Sequence, residues 1–302
     1  MSLLDRVRSC TVWTPELYTP FVVEGRVVGQ LGQSFGQWLL ATFKTDFEQR
    51  GGAIWLKPAL ATVGERSQAL AQVVTQGAQE GRFKASGQLL PLVRYWGDSA
   101  LAHVDSGALP SFGGRVFGIG VVGYELKPAG TTVWLSRPKT ATSDASGKSD
   151  VKLDVTIDVT VPGGATLAQT LADQAAGLAG ISGQNLGLYA KWTSLVSYIH
   201  PLPGERLANE AWFVVDYGPA RGFKPFDQGQ RVTYDQMAMD QVLATLRETE
   251  DFASRAALIL LDFALRQSFV VPGLQSDYQQ LIQSLRLSRE EESRYWSLPA
   301  GG

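Results

Sequence analysis

The chain has 302 residues, and its 27 Lys and Arg residues nearly balance its 29 Asp and Glu residues, giving a formal net charge of -2. This balance excludes a strongly basic nucleic-acid-binding protein. Hydrophobic residues make up 44% of the sequence and charged residues 19%, which indicates a folded globular chain. The single cysteine, Cys10, excludes an internal disulfide and a cysteine metal cluster, and it favours a reducing compartment.

The most apolar segments are too interrupted to serve as leader or membrane segments. Asp5, Arg6 and Arg8 interrupt the amino-terminal hydrophobic stretch, so we expect no secretory leader there. Residues 256–265 contain Asp262 and are about half of the roughly 20 residues that span a bilayer. We therefore expect a cytoplasmic protein with no nucleic-acid partner and no membrane partner. The sequence is compatible with a homodimer and does not decide the oligomeric state.

The first part of the chain, residues 1–110, alternates between helical and strand patterns, which predicts a small α+β domain. Apolar residues at helical spacing predict helices over 2–8, 33–43 and 64–82. Alternation around Gly25 predicts a hairpin over 21–31, and a short strand is expected at 54–56.

Beyond Gly113 the sequence becomes rich in strand-forming residues, and residues 111–250 are expected to form a second domain built on a sheet. The predicted strands are 115–124, 131–136, 153–161, 191–199 and 210–217, with a helix at 165–179 among them. Residues 140–150 are small and polar, as in a flexible loop. Helices are predicted over 241–249, 253–270 and 274–294, so residues 251–302 form a carboxy-terminal helical extension.

Seven runs of residues together carry a family resemblance. They are LLDRVRSC (3–10), FVVEGRVVGQL (21–31), LKPALATVGERSQAL (56–70), LAHVDSGALPSFGGRVFGIGVVGY (101–124), VWLSRPKT (133–140), IDVTVPGG (157–164) and LRETEDFASRAALILLDFALRQSF (246–269). These runs resemble the Nudix proteins of the thiamine pyrophosphokinase-associated type, including their leading domain. The resemblance implies an α+β fold: a Nudix-type mixed sheet sandwiched by helices, a small N-terminal α+β domain, and two long carboxy-terminal helices.

Nudix hydrolases cleave a nucleoside diphosphate linked to another group, and glutamates on the helix after a glycine pair hold Mg²⁺ or Mn²⁺. Hard divalent cations need several carboxylate or water oxygens, which is why the family carries those acids. Here Gly163 and Gly164 match the glycine pair, but the following loop is shortened. Asp173 stands at the first glutamate position, and residues 175–177, Ala-Ala-Gly, stand where the metal-binding glutamates belong.

The rest of this region also lacks the expected acids. No glutamate occurs between Glu125 and Glu205, and Gln228-Gly229-Gln230 replaces the family's Asp-Gly-Glu segment. A single aspartate holds a divalent ion weakly, so the sequence predicts a degenerate Nudix box with no metal site and no cofactor.

The remaining polar and aromatic residues supply the candidate site. The expected catalytic residues are Asp158, Asp173 and His200, and the expected substrate-binding residues are Arg137, Lys139, Trp134, Trp192, Trp212, Gly163, Gly164 and Gln230. Each also has a structural interpretation: Asp158 shares with Asp154 a strand face that is often solvated, and His200 lies at a strand end. Tryptophans such as Trp212 are often core residues.

Three functions stay open for such a scaffold. The first is a metal-independent isomerase or cyclase that acts on a largely apolar small molecule in specialised metabolism, positioning it in a dry cavity. The second is a non-catalytic protein that binds a small molecule. The third is a residual hydrolase of a thiamine-diphosphate-like molecule or a nucleotide diphosphate.

Overall fold

The computed structural model describes residues 2–139, 152–219, 222–229 and 231–299. The N-terminal part runs through α1 (Leu3–Arg8), β1 (Tyr18–Val23), β2 (Arg26–Gly32), α2 (Gln33–Thr42), β3 (Phe47–Arg50), β4 (Ala53–Leu56), α3 (Val63–Gln79), β5 (Leu89–Pro91), β6 (His103–Asp105) and α4 (Leu109–Phe112). Strands β2, β1, β4 and β3 form one sheet in that order, and β5 pairs with β6 in a second, two-stranded sheet.

Local sequence explains these elements. The predicted hairpin over 21–31 is confirmed: Glu24 and Gly25 both have positive φ, as a tight turn between β1 and β2 requires. Helix α3 begins with a capping box, in which Thr62 and Glu65 satisfy each other's backbone N–H groups.

A larger mixed sheet and its flanking helices follow. In chain order this part contains β7 (Arg115–Lys127), β8 (Gly130–Pro138), β9 (Ile157–Thr160), α5 (Leu167–Ala179), α6 (Gly183–Tyr189), β10 (Ala190–Leu202), β11 (Arg206–Tyr217) and β12 (Val232–Ala238), then α7 (Met239–Glu248), α8 (Ser254–Arg266), α9 (Tyr278–Ser284) and α10 (Arg289–Trp296). The strand order is β10-β11-β7-β8-β12, β9 pairs with β7, and β11 runs parallel to β7.

Helices cover both faces of this sheet. On one face Val214 packs in a core with Ile259 of α8, and on the other Val215 packs in a separate core with Leu171 of α5. The alternation of these sheet residues follows from the two-residue repeat of a strand. The expected α+β architecture, a mixed sheet between helices, is therefore confirmed, while the domain boundaries at 110 and 250 stay a prediction.

Two expected elements were wrong in extent. The strand predicted over 153–161 is regular only in β9, because Leu153 and Asp154 form isolated bridges to other segments. The helix predicted over 274–294 is divided into α9 and α10, because the backbone of Ser197 donates to Leu285 and the hydroxyl of Ser197 accepts from Leu287. These bonds hold the intervening segment against β10. The predicted loop 140–150 lies outside the described residues.

Helix α10 joins the two sheets. Gln30 of β2 donates its side-chain N–H to the carbonyl of Tyr295 at 2.6 Å, and the hydroxyl of Tyr295 donates to the carbonyl of Gly113. Glu292 pairs with Arg115 at the start of β7, 2.9 Å away. Helix α10 thus holds the four-stranded sheet beside the first residues of β7. A cavity opens next to these first residues.

Candidate functional site

A cavity of about 420 Å³ lies between the β5–β6 pair, the start of β7 and the loop that precedes α5. Its lining includes Pro91, His103, Phe117, Val161 and Gly164. It lies on the α5 side of the large sheet, since Phe117 and Ile119 alternate with the residues that face α8. The volume is in the range of small-molecule sites, which hold about 300–1,000 Å³.

Aromatic rings form one wall of the cavity. The ring of Trp96 is steeply inclined to the rings of Phe117 and Phe213, with centroids 5.5 and 5.3 Å away. Trp96 and Tyr95 nevertheless stay half exposed, at 43% and 50%. The loop that carries them is closed by a hydrogen bond from the backbone N–H of Leu101 to the carbonyl of Leu92. A pair of exposed aromatic side chains is therefore held at the mouth of the cavity.

His103 supplies an imidazole to the cavity wall. It lies on β6, and its backbone N–H donates to the hydroxyl of Ser67 at 2.9 Å. Among the described residues, neither nitrogen of its ring has a hydrogen-bond partner. A Cβ at Gly163 would come within 3.0 Å of the ring Cδ2 and 3.1 Å of Nε2. The glycine pair of the loop therefore leaves room for the imidazole.

The charges around the cavity are few. Arg115 is buried, its Nε donates to Asn209, and its guanidinium pairs with Glu292. Asp98 is exposed and accepts a hydrogen bond from the backbone of Tyr95, and it has no ion-pair partner within the described part of the chain. The cavity thus has the carboxylate of Asp98 at its rim, and the charge of Arg115 in its wall is balanced by Glu292.

Helix α5, after the glycine loop, does not present a set of metal ligands. Asp173 is exposed and accepts a hydrogen bond from Gln169 at 2.6 Å, and Ala175 is fully buried. No cluster of three or more His, Cys, Asp or Glu side chains that could hold a metal ion occurs in residues 2–139, 152–219, 222–229 and 231–299. The donor set on this helix therefore does not fit Mg²⁺ or Mn²⁺.

Asp158 takes part in an ion cluster on the other face of the sheet. One nitrogen of Arg255 in α8 lies 2.7 Å from both Asp154 and Asp158, and its guanidinium lies over the ring of Trp212. The shared strand face predicted for the two aspartates is confirmed. Because this face packs on α8, Asp158 does not reach the cavity.

Burial governs the electrostatics of this cluster. Burial, with help from Asp158, raises the pKa of Asp154 to about 7, although Arg255 acts in the opposite direction. One guanidinium is shared by two carboxylates, so it does not offset the loss of water around Asp154. Burial opposes the charge of Arg255, but the two aspartates outweigh it and raise its pKa.

His200 lies near this cluster rather than in the cavity. It follows Tyr198 by two residues on β10, so both side chains point to the α8 face. Its Nδ1 is buried without a hydrogen-bond partner among the described residues. Burial, followed by the charges of Lys152 and Arg6, lowers its pKa.

The other expected substrate-binding residues are dispersed. Trp134 packs on Phe223 on the α5 face, Trp212 lies on the α8 face, and Trp192 is 45% exposed. Of the predicted set, the glycine loop alone, through Gly164, borders the cavity.

The two basic residues at the end of β8 bind neighbouring chain segments. Arg137 pairs with Asp235 of β12 at 3.8 Å. The backbone N–H of Lys139 donates to the carbonyl of Arg231. Gln230 lies outside the described residues.

Sequence reasoning missed His103, Trp96 and Phe117 as site residues. His103 is one of two histidines and Trp96 one of eight tryptophans, and nothing local linked either residue to the glycine pair. Their proximity depends on how the β5–β6 pair packs on the large sheet.

Comparison with known proteins finds one matching family model and two similar plant proteins. Residues 2–116 match the model of a domain of unknown function, DUF4743. Nudix hydrolase 24 of Arabidopsis thaliana, a chloroplastic protein, is 26% identical over 275 residues, which cover 89% of this chain and 73% of the relative. Nudix hydrolase 20 of the same plant, also chloroplastic, is 23% identical, over 93% of this chain and 77% of the relative.

The chain is related to the Nudix superfamily. Two solved structures resemble it at lower identity: the Ap4A hydrolase of C. elegans, at 10% identity and a TM-score of 0.36, and the Nudix domain of Shewanella oneidensis NrtR in complex with ADP ribose, at 11% and 0.36. They cover 51% and 53% of this chain, and 99% and 92% of their own. None of the described helices of this Nudix relative is long and apolar enough to cross a membrane.

Proposed function

We propose that this chain is a Nudix-fold protein that has lost metal-dependent diphosphate hydrolysis and converts a largely apolar small molecule by a metal-independent step, such as isomerisation or cyclisation. The observation that carries the proposal is the unpartnered imidazole of His103 in a mainly apolar cavity beside Gly163. Assignment to the thiamine pyrophosphokinase-associated type, with a degenerate Nudix box, belongs to the same proposal.

The charges at the cavity argue against a diphosphate there. A diphosphate group is bound through cations or through many N–H donors. Arg115 has its charge neutralised by Glu292, and Asp98 would repel a phosphate at the rim. On α5, Asp173 stands alone where the family carries several glutamates, so a metal ion would not be held to compensate.

The cavity has the features of a metal-independent catalyst. Its apolar walls hold a reactant close to one acid–base group and limit water, which raises the rate by orienting the reactant. An imidazole has one ring nitrogen that can donate a proton and one that can accept it, so His103 is the group that we assign to that step. Asp158, Asp173 and His200, which the sequence suggested for catalysis, lie away from the cavity lining.

The names of the two plant relatives favour a second candidate function. Both are called Nudix hydrolases, so the chain would hydrolyse a diphosphate, of a nucleotide or a thiamine-like molecule, through ligands outside the usual helix. For either function we propose a small-molecule substrate, a cytoplasmic location, and no nucleic-acid or membrane partner.

The proposal is tested by extracting small molecules that co-purify with the full chain and with a His103→Gln variant, identifying them by mass spectrometry, and incubating them with each protein in EDTA. We expect conversion by the unaltered chain in EDTA and a loss of about 100-fold or more in His103→Gln. A bound molecule that is never converted would instead support a non-catalytic binding protein. Conversion that EDTA abolishes would contradict the proposal.

A further inference from the structure

The aromatic wall of the cavity includes a half-exposed tryptophan on which neither neighbouring phenylalanine ring is stacked in parallel. Trp96 meets Phe117 at an interplanar angle of 64° and Phe213 at 71°, so neither ring stacks parallel to the indole. The residue is 43% exposed although it packs in a cluster of aromatic side chains. An exposed indole face at a cavity mouth is suited to offset stacking against a planar ring.

The size of the cavity limits the ligand. A cavity of about 150 Å³ holds a molecule the size of benzene. The cavity beside Trp96 has about 420 Å³, and its deeper lining includes Leu90, Val93, Ala100 and Val161. This space suits a two-ring molecule with a small substituent better than a single ring.

Charge limits the ligand further. Asp98 lies two residues after Trp96 and borders the cavity. It forms no salt bridge within the described residues, although Arg94 is close enough to interact with its charge. The positive charge of Arg115 is balanced by Glu292 at 2.9 Å. A cation near the indole face would be attracted both by Asp98 and by the ring electrons, whereas an anion would be repelled.

We propose that the cavity recognises a planar two-ring aromatic molecule that is neutral or positively charged, with the ring stacked on Trp96 and its polar substituent at Asp98. This inference rests on the proposed function, because it names the class of molecule that the same cavity binds. It adds a requirement that the proposed function does not contain, namely that the ligand be aromatic and not anionic.

The test is calorimetric titration of the full chain with four probes: naphthylmethylamine, naphthylmethanol, naphthoate and the saturated decahydronaphthylmethylamine. We expect naphthylmethylamine to bind about 10-fold more tightly than its saturated analogue, and naphthylmethanol about 10-fold more tightly than naphthoate. Trp96→Ala should weaken naphthylmethanol binding by about 10-fold. Asp98→Asn should weaken binding of the amine more than binding of the alcohol and so remove the preference for the amine.

Phe226→Ala is the matched control, because Phe226 is an exposed aromatic residue, at 56%, outside the cavity lining. It should leave all four affinities within about 2-fold, and thermal melts should show that each variant is folded. Equal binding of the saturated and aromatic amines, tighter binding of naphthoate, an unchanged Trp96→Ala, or no binding of any probe would overturn the inference. Metal-dependent diphosphate hydrolysis together with the expected probe series would overturn the proposed function alone.

Discussion

The imidazole of His103 lies so close to Gly163 that a Cβ on the glycine would come within 3.0 Å of the ring. Gly163 belongs to the loop between β9 and α5, and His103 belongs to the β5–β6 pair. This contact is therefore where the β5–β6 pair meets the part of the chain that forms the large sheet. A methyl group there would displace the ring by a few tenths of an ångström.

Gly163→Ala should therefore weaken naphthylmethanol binding by about 3-fold to 10-fold while lowering the free energy of unfolding by no more than about 1.5 kcal/mol. Gly177→Ala is the control, because a Cβ at Gly177 meets nothing within 4 Å and alanine favours the helix by about 0.5–1 kcal/mol. Calorimetry and denaturant unfolding measure the two effects. Equal binding by both variants would contradict the role assigned to the contact.

Replacement of Arg255 should test the ion cluster on the α8 face. Arg255→Met leaves the buried Asp154 without its cation, and we expect a loss of about 3–5 kcal/mol in the free energy of unfolding at pH 8. Arg294→Met removes an exposed pair with Glu16 and should cost less than about 1 kcal/mol. Denaturant unfolding of both variants makes the comparison, and similar losses would show that burial does not govern the cluster.

The pH dependence of stability should report Asp154. Its pKa of about 7 in the folded chain lies above the ordinary 3.8, so folding takes up a proton between these values. This residue's contribution to the free energy of unfolding therefore falls as the pH rises from about 4 to about 7, by at most roughly 4 kcal/mol. The measurement is the difference in unfolding free energy between the unaltered chain and Asp154→Asn across this range. We expect the unfolding free energy of the unaltered chain minus that of Asp154→Asn to fall as the pH rises. A difference that stays constant or increases with pH would refute the raised pKa.

Asp105 should show the opposite pH dependence. Burial alone would raise its pKa, but the backbone N–H groups of Ser86, Gly87 and Gly107 outweigh burial and lower it. The stabilisation is therefore present above pH 4 and is lost as the pH falls through the lowered pKa.

Asp105→Asn should cost about 1–3 kcal/mol at pH 7, and the cost should shrink below about pH 4. Asp251→Asn is the control, because Asp251 is exposed and its carboxylate makes no hydrogen bond among the described residues. Unfolding curves at pH 7 and at pH 3 give both values. A cost that is the same at both pH values would contradict the lowered pKa.

The sequence predicted the main strands of the large sheet and one shared face of two aspartates, because local patterns decide these features. Alternation in β9 and the segment before it placed Asp154 and Asp158 on one face, and the structure brings both to Arg255. Local patterns could not give the contact of His103 with Gly163, because residues far apart in sequence meet only through sheet packing. They also missed the break between α9 and α10, where Ser197 binds the intervening backbone in place of a helical turn.

The proposed loss of metal-dependent hydrolysis is tested most directly by measuring the release of hydrolysis products from a panel of diphosphates by the full chain with millimolar Mn²⁺ or Mg²⁺. The products are AMP and ribose 5-phosphate from ADP ribose, and thiamine phosphate and inorganic phosphate from thiamine diphosphate. Asp173→Asn and His103→Gln are assayed in parallel. We predict release no faster than in protein-free controls, for every substrate and both metals. Metal-dependent product release that Asp173→Asn abolishes and His103→Gln does not would show that α5 binds a catalytic metal ion. That result would contradict the proposed function.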